Sequence, residues 1–141
     1  MNPKIRAWRG RRVWLVGASA GIGAALAHAL AQRGTRLALS ARGMAQLDAL
    51  QISGALLLPC DSTDPASLAA ARKALLEAWG GVDLVVYLAG DYVPMRADTL
   101  DLAAVEKVVE VNFHGALRLV ATVLPDLHAG GGIALVASVA G

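Results

Sequence analysis

The sequence is poor in cysteine, in aromatic side chains and in charge. Its single cysteine, Cys60, excludes an internal disulfide and any cysteine-based metal cluster. Aromatic residues make up 4% and charged residues 17% of the 141 residues, whereas 56% are hydrophobic. This balance predicts one packed domain over residues 1–141, with a core that must be built from Ala, Val and Leu.

Long apolar runs and metal-ligand spacings are also missing. No apolar run approaches the roughly 20 residues of a membrane span, and none of signal-peptide length follows the basic start. His28, His114 and His128 are scattered without ligand spacing, so we expect no metal site. These absences predict a soluble, cytoplasmic protein that does not engage a membrane.

The net charge of +2 leaves little excess of either sign, and much of it lies early in the chain. The early basic residues are Lys4, Arg6, Arg9, Arg11 and Arg12. No aromatic platform or basic helix accompanies them, so we expect a solvated leader before the first strand and no nucleic-acid partner.

Apolar and helical segments alternate along the chain. Strands are predicted at Val13–Val16, Arg36–Ser40, Ala55–Pro59, Asp83–Leu88 and Ile133–Ala137, and helices at Gly21–Arg33, Met44–Leu50, Pro65–Trp79 and Thr99–His128. Asp64 should cap the third helix, Gly80 should close it, the last helix should bend near Asn112, and Gly130–Gly132 should form a turn. Because the strands are apolar throughout, they are expected to be buried on both faces of a parallel sheet. The predicted fold is α/β, a doubly wound parallel sheet.

The stretch "GASAGIG", Gly17–Gly23, joins the first strand to the first helix. Gly17 would permit the tight turn, Gly21 would keep Cβ away from a ligand, and Gly23 would let the helix approach the strand. The amides and dipole of the helix start would then face a phosphate, with Ser19 as a further donor. The alternative is a turn whose glycines serve packing alone.

Four further motifs follow the glycine turn along the chain. "CDSTD" follows the third strand, "YLAG" the fourth, "VNFHG" lies in the last helix, and "VASVAG" ends the chain. In this order the motifs resemble those of the short-chain dehydrogenase/reductase family, where "YLAG" takes the place of N-N-A-G. The resemblance implies a Rossmann-like sheet, here truncated after the fifth strand, in which Asp61 contacts the adenine of a dinucleotide. A turn or capping role for Asp61 is the alternative.

The end of the second strand bears on which dinucleotide binds. No carboxylate is present there to accept from a ribose 2′-hydroxyl, whereas Arg42 can pair with a 2′-phosphate and Ser40 can add a hydrogen bond. We therefore expect NADP rather than NAD, although Ala20 stands where NADP-dependent members often carry a basic residue. Arg42 as an exposed loop residue is the alternative. The expected cofactor contacts are Gly17, Ser19, Ala20, Gly21, Ile22, Gly23, Ser40, Ala41, Arg42, Asp61, Ser62, Leu88, Ala89, Gly90 and Val111.

The same resemblance implies hydride transfer between NADP(H) and a small carbonyl or alcohol substrate. Ser138 matches the family's catalytic serine, and Asn112 matches its helix asparagine, which supports a proton-relay water. A strand-end serine and a helix-bend asparagine are the respective alternatives. The family's Tyr-x-x-x-Lys element is absent from the sequence. We therefore expect these 141 residues to bind NADPH weakly without turnover, as part of an oxidoreductase or as a non-catalytic dinucleotide-binding chain; a methyltransferase is the weaker alternative.

The fifth strand and the last helix predict self-association of the chain. If the strand order follows the family, Ile133–Ala137 would be an uncovered apolar edge strand that seeks a partner chain. The helix from about Val111 to His128 corresponds to a family oligomer surface. Both features predict a homo-oligomer.

Overall fold

The computed structural model describes residues 5 and 7–138. Within them, five parallel strands form one sheet in the order β3-β2-β1-β4-β5. The strands are β1 Arg12–Val16, β2 Arg36–Ser40, β3 Leu56–Leu57, β4 Val82–Tyr87 and β5 Leu127–Leu135. The prediction of a doubly wound parallel sheet is confirmed.

Helices connect the strands and cover both faces of the sheet. They are α1 Gly21–Ala31, α2 Met44–Asp48, α3 Pro65–Trp79, α4 Leu102–Val109 and α5 Ala116–Val123. The capping prediction for α3 is confirmed, because Asp64 Oδ1 accepts from the Ala66 amide at 2.9 Å and Gly80 ends the helix with a φ of +70°. Helices α1 and α2 end two residues earlier than predicted, before Gln32 and Ala49.

Two apolar cores lie on the two faces of the sheet. Val13 and Leu15 of β1 belong to the core under α1, whereas Trp14 and Val16 belong to the core under α3 and α5. Alternate residues of one strand therefore enter different cores, which is why the strands are apolar throughout. Ala, Val and Leu dominate both cores, but the largest fully buried side chains are aromatic, Trp14 and Tyr87.

The predicted long helix is divided. A π-helical segment, Glu110–Gly115, separates α4 from α5, and a 3₁₀ turn, Leu124–Asp126, follows α5. A π-helical segment thus lies at Asn112, the position where a bend was expected. The prediction of helix through His128 is wrong, since that residue lies in β5.

The prediction of a turn at Gly130–Gly132 is also wrong, because all three glycines lie within β5. The β4–β5 register shifts between the pairs Val82–Leu127 and Leu84–Gly132, so β5 holds extra residues in a bulge. A Cβ on Gly131 would lie 2.8 Å from the His128 carbonyl oxygen. The bulge thus needs glycine for close backbone packing rather than for a chain reversal.

An ion pair joins β1 to β4 at the amino-terminal edge of the sheet. Arg12 Nε and Nη2 donate to the Asp83 carboxylate at 3.2 and 3.1 Å, and the Arg12 amide donates to it at 2.8 Å. Arg12 Nη1 donates to the Trp79 carbonyl. Arg12, expected in a solvated leader, is therefore the first residue of β1 and is held by a partly buried carboxylate.

Candidate functional site

The three glycines between β1 and α1 meet three different surroundings. Gly17 has a φ of +92°, and a Cβ there would overlap main-chain atoms of Leu88 and Ala89. A Cβ on Gly23 would overlap the Gly17 carbonyl oxygen, whereas a Cβ on Gly21, whose φ is +53°, would meet no atom within 4 Å. Two of the glycines therefore permit close packing, and Gly21 leaves open space at the start of α1.

Backbone hydrogen bonds fix this turn against the neighbouring strands. The Gly17 and Ala18 amides donate to the Ser40 carbonyl at 2.8 and 2.9 Å. The Leu88 and Ala89 amides donate to the Val16 carbonyl at 2.7 and 3.0 Å. Helix α1 begins after Ala20, whose side chain has no oxygen to cap the first-turn amides. An uncapped helix start therefore lies at the carboxyl edge of the sheet, where its dipole favours an anion.

A cleft of ≈ 590 Å³ opens at this edge. It brings together eleven of the residues predicted to contact the cofactor: Gly17, Ser19, Ala20, Ala41, Arg42, Asp61, Ser62, Leu88, Ala89, Gly90 and Val111. Loops after β1, β2, β3 and β4 and the π-helical segment all contribute. Residues far apart in the sequence thus form one concave surface, as expected for the carboxyl edge of an open parallel sheet.

Four predicted contacts do not line the cleft. Gly21, Ile22 and Gly23 form the first turn of α1, where Ile22 is 69% exposed. Ser40 requires a correction, because its side chain is fully buried and its Oγ accepts a 2.8 Å hydrogen bond from Trp14 Nε1. A buried indole N–H needs an acceptor. The Ser40 hydroxyl therefore serves the core and does not face the cleft.

Two opposite charges line one side of the cleft, Arg42 after β2 and Asp61 after β3. Asp61 Oδ1 accepts from the Thr63 amide at 2.9 Å and from the Thr63 hydroxyl at 2.7 Å. These hydrogen bonds hold the pKa of Asp61 below its ordinary value, and the Arg42 charge lowers that pKa further. Asp61 is thus a turn carboxylate that also lines the cleft, so the two roles weighed for it do not exclude each other.

A chain of hydroxyl groups lies beneath the cleft. Tyr87 Oη donates to the Val111 carbonyl at 2.6 Å and lies 2.9 Å from Ser62 Oγ. Burial raises the pKa of Tyr87 above its ordinary value, so the phenol stays protonated at neutral pH. Gly115 leaves room for the pair, since a Cβ there would lie 2.5 Å from Tyr87 Oη and 2.9 Å from Ser62 Oγ.

Asn112 lies in the π-helical segment and holds the loop that follows β4. Its Oδ1 accepts from the Asp91 amide at 2.7 Å, and its Nδ2 donates to the Asp91 carbonyl at 2.9 Å. The bridge ties two borders of the cleft together, since Asp91 lines it and Asn112 follows the lining residue Val111. Ser138 lies three residues beyond the end of β5 and is exposed.

Sequence reasoning missed seven further residues that line the cleft: Val16, Gln46, Cys60, Thr63, Asp91, Lys107 and Glu110. Glu110 accepts hydrogen bonds from His114 Nδ1 at 2.7 Å and from Arg118 Nη1, which, in that order, lower the pKa of its carboxyl. The i, i+4 and i, i+8 spacing of these three residues is a helical signal that could have grouped them.

Within residues 5 and 7–138, no cluster of three or more His, Cys, Asp or Glu side chains could hold a metal ion. In the same part of the chain, every helix is too short or too polar to cross a bilayer.

Comparison with known proteins gives this chain its family. The model of the short chain dehydrogenase family matches residues 11–141. Human dehydrogenase/reductase SDR family member 7 is 36% identical over 141 aligned residues, which cover 85% of this chain and 41% of that protein. The glycine betaine reductase ATRR of Emericella nidulans is 38% identical over 86% of this chain and 10% of that protein. A dehydrogenase/reductase structure from Sinorhizobium meliloti 1021 superposes with a TM-score of 0.85 at 29% identity, over 94% of this chain and 55% of that one.

The chain belongs to the short-chain dehydrogenase family. Family membership confirms the resemblance drawn from the motifs and removes the methyltransferase alternative. The chain spans 41% of the length of its human relative, which therefore contains much that these residues do not represent.

Proposed function

We propose that this chain binds NADP(H) in the cleft at the carboxyl edge of the sheet. The observation that carries the proposal is the uncapped start of α1 beside Gly21, where a Cβ would meet no protein atom within 4 Å. A pyrophosphate placed there would accept hydrogen bonds from first-turn amides and from Ser19. The residues present therefore fit the phosphates of a dinucleotide.

Arg42 and Asp61, the charged residues after β2 and β3, suit the adenosine end of the dinucleotide. Arg42 would pair with a 2′-phosphate, and Asp61 would accept from the adenine amino group. Ser62 would contribute backbone, since its hydroxyl is engaged with Tyr87. Ile22, in the first turn of α1, would contact the cofactor through its exposed side chain. Ala41, Leu88, Ala89, Gly90 and Val111 would complete the surface.

The reaction proposed for the whole enzyme is hydride transfer between NADP(H) and a small carbonyl or alcohol substrate. The nicotinamide, when bound, supplies or accepts the hydride. Ser138 would hold the substrate oxygen by a hydrogen bond, and Asn112 would keep the loop at Asp91 in place. The sequence contains no Tyr-x-x-x-Lys pair to donate the proton, so we propose that the 141 residues alone bind the cofactor weakly without turnover.

Calorimetric titration with NADPH and with NADH tests the proposal. We expect NADPH to bind more tightly, and Arg42→Ala to reduce its affinity about tenfold while changing that for NADH little, because only NADPH carries the 2′-phosphate. Arg33→Ala is the matched control: it removes an equal charge from a side chain that bonds the Ala29 carbonyl at the far end of α1. Failure to bind either dinucleotide would overturn the proposal, and tighter binding of NADH would overturn its choice of cofactor.

A non-catalytic role in dinucleotide binding is the second candidate. Within the 141 residues, neither tyrosine is followed by a lysine four positions later, so these residues by themselves do not supply the expected proton donor. Incubation of the purified chain with NADPH and a panel of aldehydes and ketones, followed at 340 nm, tests whether these residues turn over by themselves. Turnover that persists after repurification would exclude the non-catalytic role and would also contradict the proposal that the 141 residues alone do not turn over.

We also propose that the chain forms a homo-oligomer. Apolar side chains on α4, the π-helical segment and α5 are exposed: Val109 by 41%, Phe113 by 57% and Leu117 by 50%. Such a patch favours burial against a second copy. Sedimentation velocity at increasing concentration should show self-association that Leu117→Gln weakens, and a monomer at all concentrations would contradict it.

A further inference from the structure

The hydroxyl of Tyr87 contacts two residues that line the cleft, Ser62 and Val111. A carbonyl oxygen can only accept, so the single phenolic proton is donated to Val111. The same oxygen must then accept from the Ser62 hydroxyl, 2.9 Å away. The direction of the chain is therefore fixed as Ser62 Oγ–H to Tyr87 Oη–H to the Val111 carbonyl.

Each end of this chain belongs to a segment that lines the cleft. Ser62 lies between Asp61 and Thr63, whose hydrogen bonds hold the turn after β3. Val111 precedes Asn112, which holds the loop after β4 through Asp91. The Tyr87 hydroxyl thus connects the turn after β3 to the π-helical segment.

Burial makes this connection specific. Tyr87 is 2% and Ser62 6% exposed, so bulk water has little access to either hydroxyl. The hydroxyl pair is tightly packed against Gly115, because a methyl group on that residue would place its Cβ 2.5 Å from Tyr87 Oη. A buried donor or acceptor that loses its partner here has no ready substitute, and the segment that carries it must move.

We propose that Tyr87 is a positioning residue for dinucleotide binding, holding the turn at Ser62 and the π-helical segment at Val111 at the separation that the ligand requires. The inference rests on the proposed function of the cleft. Tyr87 acts from below and does not itself line the cleft. Its position in the sequence is the first of the "YLAG" motif, where the family pattern carries asparagine.

Tyr87→Phe removes the hydroxyl and keeps the ring in the core. We expect NADPH affinity to fall about tenfold, which corresponds to ~1.4 kcal/mol, with the protein still folded. Ser62→Ala breaks the same chain at its other end and should weaken binding in the same direction. Because both changes act on one hydrogen-bonded chain, the double variant should lose clearly less than the sum of the two single losses.

Thr35→Val is the matched control. Thr35 is 9% exposed, and its hydroxyl donates to the Trp8 carbonyl at 3.4 Å, near the start of β2 and away from the cleft. We expect this variant to bind NADPH within twofold of wild type. Urea unfolding of every variant separates stability from affinity, since a purely structural Tyr87 would shift the unfolding midpoint without changing the dissociation constant of the folded protein.

The outcomes distinguish this inference from the proposed function. If the wild type binds NADPH and Tyr87→Phe binds it equally well, or if the two single losses simply add, the positioning role is wrong and the cleft assignment stands. If the wild type binds neither NADPH nor NADH, the proposed function fails and the inference falls with it. Loss of affinity in Tyr87→Phe at unchanged affinity in Thr35→Val supports the positioning role.

Discussion

Substitution of Gly21 by alanine should separate the effect on ligand binding from the effect on the stability of the fold. Alanine at this position must adopt the left-handed φ of +53°, which costs about 1–2 kcal/mol, but its Cβ meets no protein atom within 4 Å. Gly23→Ala differs, because its Cβ would lie 2.9 Å from Ala18 Cα and overlap the Gly17 carbonyl. Backbone atoms would then have to shift, at a cost of about 3 kcal/mol or more. Gly21→Ala should therefore fold, whereas Gly23→Ala should be severely destabilised.

Although Gly21→Ala should fold, it is expected to weaken the binding of NADPH. If a pyrophosphate lies against the first turn of α1, a methyl group on residue 21 occupies space next to it, and NADPH affinity should fall at least tenfold. Gly80→Ala is the matched control, since Gly80 also has a positive φ, +70°, and open space around its Cβ, but closes α3 before β4 begins.

Urea unfolding and calorimetric titration measure the two quantities for each variant. Gly21→Ala and Gly80→Ala should lose similar stability, and only Gly21→Ala should lose affinity. Equal NADPH affinity in wild type and Gly21→Ala would refute the assignment of the phosphate to the start of α1.

Three further predictions concern single side chains. Burial raises the pKa of the Cys60 thiol to about 11, so its reaction with a thiol reagent at pH 8 should be about a hundredfold slower in the folded than in the unfolded chain; equal rates would contradict the burial. Burial alone would raise the pKa of Asp83, but the Arg12 hydrogen bonds outweigh it and lower that pKa. The stability that this carboxylate contributes is therefore present above pH ~4 and lost as the pH falls through its folded pKa, and Asp83→Asn should flatten the stability profile in that range, as measured by urea unfolding. Asn112→Ala removes both bonds to Asp91 and should cost about 1 kcal/mol and speed hydrogen exchange at the Asp91 amide; unchanged exchange would show that the bridge does not hold the loop.

Much of the fold was predictable because its signals are local. The signals were apolar strands that alternate with helical patterns, a proline after Asp64 and a glycine at position 80. Each of them depends only on residues that are close in the sequence. The cleft was predictable for a similar reason, since parallel strands bring their carboxyl ends to one edge. The contacts expected after β3, after β4 and at Val111 followed from the family resemblance of the motifs, and eleven of the predicted contacts meet at this edge.

The errors arise where distant contacts decide. Three consecutive glycines, 130–132, are typical of a turn, but pairing with β4 keeps them in β5 as a bulge. The polar character of Ser40 suggested a ligand contact, yet the buried Trp14 indole requires an acceptor and Ser40 provides it. The hydroxyl chain from Ser62 through Tyr87 to Val111 spans three separate segments, and no spacing in the sequence indicates it.

The two edges of the sheet divide these roles between them. At the amino edge, Arg12 binds Asp83, and Arg72 on α3 donates to both carboxylate oxygens of Asp126, which leads into β5. At the carboxyl edge, Gly17, Ser19 and Ala20, which lead into α1, and the polar groups after the strands line the cleft. β1 and β4 run between the two edges, and none of the four residues in these ion pairs lines the cleft. Substitutions at the amino edge should therefore change stability at constant affinity, and those at Gly21 or Tyr87 should change affinity beyond their effect on stability.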